Sequence, residues 1–335
     1  MPLQRLLGFI LIIATSSCFA PAEALKAQKN AAPTERNSVL WSDPGPIASR
    51  NLYYGSGGEE GEPHGPIEFI DEDRSGTSPK LNVRDREGNK WKAKLGEEAQ
   101  PETVAARLLW AVGFNSNENY FVQDLKVDGL PHLNRGNEFV KKDGEVHQVR
   151  LQRASKDEKK AGTWDWRRNP FKGTREFNGL RVMMALISNW DLKRENNAIY
   201  IDKDSGHKLY EVSDLGASFG MSGKSYTDAL AKNNLGAYKK AKFIAKVTPH
   251  YVDFNFPTHP PFFYAFNLPF FISKVRTRWV GRHIPREDAK WIGSLLAQLT
   301  SDQIHDAFRA AGYTAEQVDA YTEAVQKRIG ELSEL

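Results

Sequence analysis

Residues 188–220 read SNWDLKRENNAIYIDKDSGHKLYEVSDLGASFG, and this stretch decides how the rest of the chain is interpreted. It places Asp191, Lys193 and Asn196 close together and then returns to a second acid, Asp214. Carboxylate and amide oxygens are ligands that Mg²⁺ prefers, and a carboxylate can orient an attacking hydroxyl. The stretch therefore predicts a site for phosphoryl transfer.

Each polar residue of the stretch has an expected role in that chemistry. Asp191 orients the hydroxyl, and Lys193 neutralises charge on the transferring group. Asn196 and Asp214 hold the metal ion that bridges the phosphates. A hairpin predicted over 198–212 brings Asp214 back beside Asp191, because its two strands run in opposite directions.

The composition is that of a soluble globular protein with a sizeable core. The chain has 335 residues, of which 40% are hydrophobic and 26% charged. The net charge of +4 is small for this length, so charge gives no support for nucleic-acid binding. Cys18 is the one cysteine, which excludes a disulfide within the chain and a cysteine-based zinc site.

The N-terminus, residues 1–24, has the layout of a secretory signal peptide. Arg5 precedes an apolar run over 6–14 that is shorter than a membrane-spanning helix requires. Three outcomes are open: cleavage after the small residues at 22–24, a lipid anchor on Cys18, or an uncleaved segment. We expect an exported protein, periplasmic or extracellular, which is membrane-anchored if Cys18 carries a lipid.

The remaining chain divides into a leader and two parts with different patterns. Residues 25–63 are rich in Ala, Asn, Ser, Pro and Gly, which predicts a flexible leader. Residues 64–153 alternate in polarity and predict three strands, a helix and two more strands, at 67–71, 81–85, 90–95, 101–112, 119–127 and 145–153.

Residues 154–335 are predicted to be mostly helical. A charged connector over 154–162 precedes a helix over 174–188, and Pro285 begins the C-terminal helices. Thr300 and Thr314 each stand three residues before a glutamine, which is the capping-box pattern. The region 227–271 has no pattern that predicts structure. The fold class expected from both parts is α+β.

The motif DLKREN followed by DLG resembles the catalytic loop and the metal-binding loop of protein kinases. Asn189 and Trp190 stand where His-Arg is usual, and the chain has neither G-x-G-x-x-G nor a following A-P-E. It is therefore more similar to the atypical branch: HipA-like, phosphoinositide-kinase-like or secretory-pathway kinases. That resemblance implies a two-lobed fold, with a small antiparallel β lobe containing one helix and a larger, mostly helical lobe. It also implies ATP and Mg²⁺ as cofactors and an unidentified hydroxyl-bearing acceptor.

The resemblance also assigns residues in the β-rich part. The third strand should supply a lysine for the α- and β-phosphates, with Lys94 as the first choice and Lys92 as the second. The glutamate that pairs with it should be Glu102, with Glu98 as the second choice. The turn between the first two strands is either a phosphate-binding turn or a plain hairpin turn, and it consists of Ser75, Gly76, Thr77 and Ser78.

Three alternatives compete with a phosphotransferase. The sequence GASFG matches the nucleophile elbow of serine hydrolases at Ser218, for which Asp253 and His283 would complete a triad. Residues 220–225 nearly match a phosphate-binding P-loop. Export of a bacterial protein would also place it where ATP is scarce. That placement leaves three outcomes: an exported kinase with a local nucleotide supply, an export signal that is wrongly assigned, or a kinase-like fold that no longer turns over. The last is the main alternative, and it would serve as a binding or envelope-interaction module.

Overall fold

The computed structural model describes residues 37–154, 158–221, 232–256 and 277–335, whose elements are numbered here in chain order. The strands are β1 Ser38–Val39, β2 Ile67–Asp73, β3 Lys80–Arg84, β4 Lys90–Leu95, β5 Asn119–Asp128, β6 Glu145–Arg153, β7 Glu158–Gly162, β8 Asn197–Asp202, β9 Lys208–Val212, β10 Ile244–Val247, β11 Tyr251–Phe254 and β12 Ile284–Pro285. The helices are α1 Ala99–Ala111, α2 Arg175–Leu186, α3 Leu235–Lys240, α4 Arg286–Leu296, α5 Ser301–Arg309 and α6 Ala315–Ser333. The fold class is α+β, as the sequence predicts.

Strands β2 to β6 close into a barrel in the order β2–β3–β4–β6–β5. Alternate residues face its interior because successive strand side chains point to opposite faces. Val83, for example, is paired with Trp91, and both are buried in the barrel core. The predicted order of strands and helix over 64–153 is confirmed. The barrel is not wholly antiparallel, however, because β2 closes against β5 in parallel, a pairing that local alternation does not encode.

Helix α1 connects β4 to β5 and contributes to the other hydrophobic core. It begins at Ala99, two residues before the predicted start at Pro101. Its apolar residues, such as Val104 and Leu108, are buried together with residues of α2, α5 and α6. At its start, Gln100 Nε2 donates to the backbone carbonyls of Ala311 and Gly312. The helix is therefore fixed between the barrel and the C-terminal helices.

Helices α5 and α6 begin at the caps that the sequence predicts. Thr300 and Thr314 both form complete capping boxes with Gln303 and Gln317. Phe308 of α5 stacks on Tyr321 of α6 with ring centroids 4.9 Å apart. These predictions hold because a cap depends only on residues within one turn of the helix.

Two connecting segments are more ordered than their composition predicts. The connector expected over 154–162 contains β7, which pairs antiparallel with β8 in the sheet β1–β9–β8–β7. β10 and β11 lie in the region 227–271, whose sequence pattern predicts no structure. They form a second sheet with β12, which follows that region. β7 has no alternation of its own. The backbone of β8 supplies its hydrogen bonds, so sequence periodicity could not reveal it.

The prediction of a flexible leader over 25–63 is wrong for residues 37–63, which the structure describes. Leu40, Ile47 and Leu52 are buried in the same core as α1. Arg107 of α1 donates to the backbone carbonyl of Tyr53. Buried apolar contacts and hydrogen bonds therefore order this segment against α1. Residues 1–36, with the signal-peptide and Cys18 predictions, lie outside the described residues. No described helix has both the length and the apolar composition needed to span a membrane.

Arg328 joins α6 to the segment that leads into the 188–220 stretch. Its guanidinium is buried and donates to the carbonyls of Leu186 and Tyr238 and to the Ser188 hydroxyl, while it lies 3.7 Å from the centroid of the Tyr238 ring. Burial lowers the pKa of Arg328. These bonds satisfy carbonyls at the end of α2, where no further helical turn follows.

We expect Arg328→Met to lower the free energy of unfolding by about 3 kcal/mol, because it removes several buried hydrogen bonds from a charged donor at once. Urea unfolding followed by circular dichroism measures this change. Lys327→Met is the matched control, since Lys327 is the exposed neighbour on the same helix. Equal stability of the two variants would contradict the structural role of Arg328.

Candidate functional site

All ten predicted site residues line one cleft of about 1030 Å³. The cleft is bounded by barrel strands on one side and by the loops before β8 and after β9 on the other. Its volume is at the upper end of the range typical of small-molecule sites. The structure therefore brings together residues that are far apart in the sequence: Ser75, Gly76, Thr77, Ser78, Lys94, Glu102, Asp191, Lys193, Asn196 and Asp214.

Lys94 is the most buried cation of the cleft, with 2% of its side chain exposed. Its ammonium lies 2.7 Å from Glu98, 3.0 Å from Glu102 and 3.1 Å from Asp214. Burial alone would lower the pKa of Lys94, but the carboxylates of Glu102, Asp214 and Glu98 raise it above its ordinary value. Lys94 is therefore charged, and each of its three N–H donors has a carboxylate within reach.

The alternation of β4 explains this position. Trp91 and Ala93 face the barrel core, so Lys92 and Lys94 emerge on the opposite face. Helix α1 covers that face at Lys94 but not at Lys92, whose side chain is 44% exposed and pairs with Asp73 at 2.9 Å. The first choice of lysine thus lies at the centre of the cleft, and the second choice is a partly exposed ion-paired residue.

Both candidate glutamates contact Lys94, and each has a further cationic partner. Glu102 is buried and also lies 3.1 Å from Arg150 of β6. Glu98 also pairs with Lys232 at 2.9 Å. Burial alone would raise the pKa of Glu98, but Lys94 and Lys232 lower it to about 2. Both glutamates are therefore partners of the lysine, because Glu98 immediately precedes α1, Glu102 lies in its first turn, and both reach the same ammonium.

Asp214 reaches Lys94 from the end of β9, and the glycine of its DLG motif makes this approach possible. A Cβ at Gly216 would lie only 2.6 Å from the Cβ of Glu98. The backbone N–H of Gly216 also donates to Asp214 at 3.3 Å. A larger residue at 216 would push the segment away from α1 and move Asp214 with it.

The residues of the DLKREN motif form one hydrogen-bonded loop. The side chain of Asn196 donates to the carbonyl of Asp191 at 2.7 Å, and the backbone N–H of Asp214 donates to the carbonyl of Asn196 at 3.2 Å. Lys193 pairs with the Asp191 carboxylate at 3.0 Å. The loop thus places both carboxylates and the amide at the same end of the β8–β9 hairpin, which the sequence predicts from its length.

The described residues contain no group of three or more His, Cys, Asp or Glu side chains placed to hold a metal ion. Asn196 and Asp214 nevertheless fit Mg²⁺ chemically. They offer oxygen ligands from adjoining backbone segments, and Mg²⁺ in nucleotide sites is usually bound by one or two protein groups together with phosphates and waters.

The turn at 75–78 is held by a residue that the sequence analysis missed. Arg135, from the loop between β5 and β6, donates to the carbonyls of Asp73, Gly76 and Thr77. Ser78 also donates to Glu98 at 2.9 Å. Neither Arg135 nor Arg150 belongs to a local motif. Only the closing of the barrel brings Arg135 to the turn and Arg150 to the cleft.

The serine-hydrolase alternative is not supported by the positions of its residues. Ser218 is fully buried, and its hydroxyl has no hydrogen-bond partner among the described residues. Asp253 accepts a hydrogen bond from the backbone N–H of His283 at 2.7 Å and pairs with Arg282. No triad is formed because Asp253 binds the backbone of His283 and Ser218 packs in the core. The P-loop-like match at 220–225 lies largely outside the described residues.

Comparison with known proteins identifies no family for this chain. Neither the protein-family models nor the curated proteins compared with the chain match it. Among solved structures, the Helicobacter pylori proinflammatory kinase CtkA is similar over 81% of this chain and 94% of its own, with 10% sequence identity and a TM-score of 0.42. At that TM-score the similarity carries no argument about fold or function.

The pKa of Glu98 gives a prediction for stability against pH. Its folded value of about 2 lies below the ordinary glutamate value, so the ionised group stabilises the fold by about 3 kcal/mol above pH 4.5, and this contribution is lost as the pH falls through about 2. We expect Glu98→Gln to be less stable than the parent protein at pH 6. The deficit should shrink as the pH falls to 3. Urea titrations at a series of pH values measure it.

Glu97→Gln is the matched control for this measurement, because Glu97 is the exposed neighbour of Glu98. It should show no such deficit at any pH. A Glu98→Gln deficit that stays constant between pH 6 and pH 3 would show that the ion pairs of Glu98 do not stabilise the fold.

Proposed function

We propose that this chain has a two-lobed, kinase-like fold and is an ATP- and Mg²⁺-dependent phosphotransferase. The observation that carries the proposal is the position of Lys94. One buried ammonium joins Glu102 of α1 to Asp214 after β9, and Asp214 is hydrogen-bonded to the loop of Asp191 and Asn196. Phosphoryl transfer needs charge stabilisation and positioning of this kind, with little covalent chemistry from the protein.

The residues of the cleft have distinct roles in the proposed reaction. Asp191 accepts the proton of an acceptor hydroxyl, whose oxygen then bonds to the γ-phosphorus while the bond from that phosphorus to the β–γ bridging oxygen breaks and ADP leaves. Lys193, which lies beside Asp191, balances charge on the transferring group. Asn196 and Asp214 would hold Mg²⁺, which when bound supplies charge neutralisation at the phosphates. Lys94, which is paired with Glu102, fixes the position of Asp214 behind the phosphates.

The turn at 75–78 is proposed to cover the phosphates. Its carbonyls are bound by Arg135 and by Lys80, so the backbone is fixed before any ligand arrives. A turn fixed in advance costs less entropy when a phosphate binds. Export directed by residues 1–24, with cleavage or a lipid at Cys18, remains part of the proposal, and the acceptor is a hydroxyl compound or protein of unassigned identity.

A binding module without turnover is the second candidate. The specific observation in its favour is the saturation of Lys94 by three carboxylates, which leaves this lysine no free donor for a phosphate in the described structure. Such a module would bind a nucleotide or another anion in the cleft and transfer nothing. Binding and transfer therefore have to be measured separately.

We expect Mg²⁺ and ATP together to stabilise the protein in a thermal-shift measurement, by about 2.7 kcal/mol at a ligand concentration of 100 times Kd. Asp214→Asn should lose this stabilisation, because it removes the carboxylate proposed to hold the metal. Asp204→Asn, in the exposed turn of the same hairpin, is the control and should keep it. The absence of any shift in the parent protein would exclude the nucleotide-binding proposal.

We expect Asp191→Asn to bind Mg-ATP as the parent protein does but to transfer phosphate about 10²- to 10⁴-fold more slowly, since only the proton acceptor is lost. Transfer is measured with γ-labelled ATP as label incorporated into the protein itself or added hydroxyl acceptors, together with ADP formed. Binding without transfer in the parent protein would favour the binding module. Equal rates in Asp191→Asn and in the Asp204→Asn control would exclude Asp191 from the reaction.

A further inference from the structure

Lys80, a residue outside the predicted site, stands at the start of β3 and lines the same cleft as Lys94. The two lysines are directly opposite each other in the antiparallel pair β3–β4. Directly opposed residues of such a pair project from the same face of the sheet, with their Cβ atoms about 5 Å apart. Lys80 is therefore placed toward the same ligand space as Lys94, one strand nearer to the turn at 75–78.

The two ammonium groups have different partners. Lys94 is within 3.1 Å of three carboxylates, so its charge is already compensated. Lys80 makes no ion pair with a described carboxylate, and its ammonium donates to one neutral group, the carbonyl of Ser75, at 3.0 Å. An ammonium has three donors, so two donors of Lys80 are not used by that bond. Of the two opposed lysines, Lys80 retains the positive charge that can act on an anion.

The ammonium of Lys80 also lies directly beneath the turn. A Cβ at Gly76 would be 3.2 Å from Lys80 Nζ, which shows how closely the turn backbone passes over it. Gly76 has a φ of 68°, so a glycine suits the position on conformational grounds as well. Arg135 holds the carbonyls of Asp73 and Gly76 from another direction. The turn and Lys80 thus form one fixed unit at the wall of the cleft.

Two opposed lysines on neighbouring strands would ordinarily reduce stability. Burial adds to that cost. Burial and the charges of Lys92 and Lys94 lower the pKa of Lys80, although the charges of Asp73 and Asp214 act in the opposite direction. Carboxylates near Lys94 relieve the repulsion there. Asp73 stands directly opposite Lys80 on β2, but its carboxylate is ion-paired with Lys92 at 2.9 Å, so Lys80 is less fully compensated than Lys94. A bound polyanion would supply the missing negative charge.

We propose that Lys80 is the cation that binds the terminal phosphates of the nucleotide in this chain, while Lys94 is a structural tie between α1, β4 and Asp214. This inference rests on the proposed function and deepens it by locating the phosphate charge under the turn at 75–78. The ligand chemistry is a polyphosphate, either as part of a nucleotide or free. The adenosine part of a nucleotide does not contribute to the Lys80 contact.

The proposal is tested by calorimetry on the full protein in the presence of Mg²⁺. This measures its affinities for ATP, adenosine and inorganic tripolyphosphate. Lys80→Met should weaken ATP and tripolyphosphate binding about 10- to 100-fold, because it removes a charge-assisted hydrogen bond to phosphate. Adenosine binding should change by less than about twofold, since adenosine has no phosphate. Lys80→Arg should restore most of the affinity because it keeps the charge.

Lys126→Met is the matched control, because Lys126 is an exposed lysine on β5 of the same barrel, outside the cleft. It should bind all three ligands as the parent protein does. Thermal unfolding of each variant shows whether it is folded, and Lys80→Gln provides a second variant if Lys80→Met is not. Unchanged ATP and tripolyphosphate binding in a folded Lys80 variant would overturn the inference.

The outcomes also separate this inference from the proposed function. ATP binding by the parent protein that survives Lys80→Met would overturn the role of Lys80 alone. Tripolyphosphate binding that depends on Lys80, without any ATP or adenosine binding, would support the phosphate site and overturn the nucleotide proposal. A parent protein that binds none of the three ligands would overturn both.

Discussion

The burial of one ammonium group is the constraint on which the site depends. Lys94 is almost wholly removed from water, and an isolated charge in that position would be strongly unfavourable. Its carboxylate partners come from α1 and from the segment after β9, so satisfying this charge fixes three parts of the chain relative to one another. Glu102 continues the chain of charges to Arg150 on β6. The barrel, the helix and the hairpin therefore meet at a network in which each member compensates another.

Helix α1 is held on its other side by contacts that have no part in the chemistry. The segment 38–63 packs its apolar residues against the helix, and Arg50 donates to the carbonyl of Trp110 near its end. Gln303 of α5 donates to the carbonyls of Ile47 and Arg50, which ties the same segment to the C-terminal helices. The position of Glu102 is thus set by packing from several directions. Such support preorganises a site, because its side chains need little rearrangement when a ligand binds.

The two lysines Lys94 and Lys80 of the cleft differ in how many opposite charges lie beside them. Lys94 is surrounded by three carboxylates, those of Glu98, Glu102 and Asp214. Their negative charge is balanced when Arg150 and Lys232 are counted together with Lys94. Under the turn at 75–78 the balance is different, since Lys80 has a backbone carbonyl as its partner. One lysine is therefore paired with three carboxylates, while the other has only a neutral hydrogen-bond partner among the described residues. Sequence motifs identify lysines by strand and spacing and do not reveal which ammonium is already compensated.

Local patterns predicted much of the fold and of the candidate site. The barrel strands, α1 and the capping boxes of α5 and α6 follow from periodicity and from hydrogen bonds within one helical turn. Asp191, Lys193, Asn196 and Asp214 were predicted from residue type and spacing, whereas Lys94, Glu102 and the turn at 75–78 were assigned from the resemblance to protein kinases. All of them line one cleft, and their roles stay predictions. The segment 38–63 and β7 were misjudged because both are ordered by partners distant in the sequence.

By itself, the sequence determined which residues could carry the chemistry, because residue type and local spacing set the polarity, the caps and the hairpin. Only the tertiary structure decided that Glu98 and Glu102 share Lys94, that Arg150 binds Glu102, and that Lys80 stands opposite Lys94. It also decided that Ser218 is buried away from any catalytic partner among the described residues. The physical reason is that compensation of a buried charge is a property of neighbours in space. Those neighbours are fixed by closing the barrel and packing α1, and neither event is encoded in any single segment.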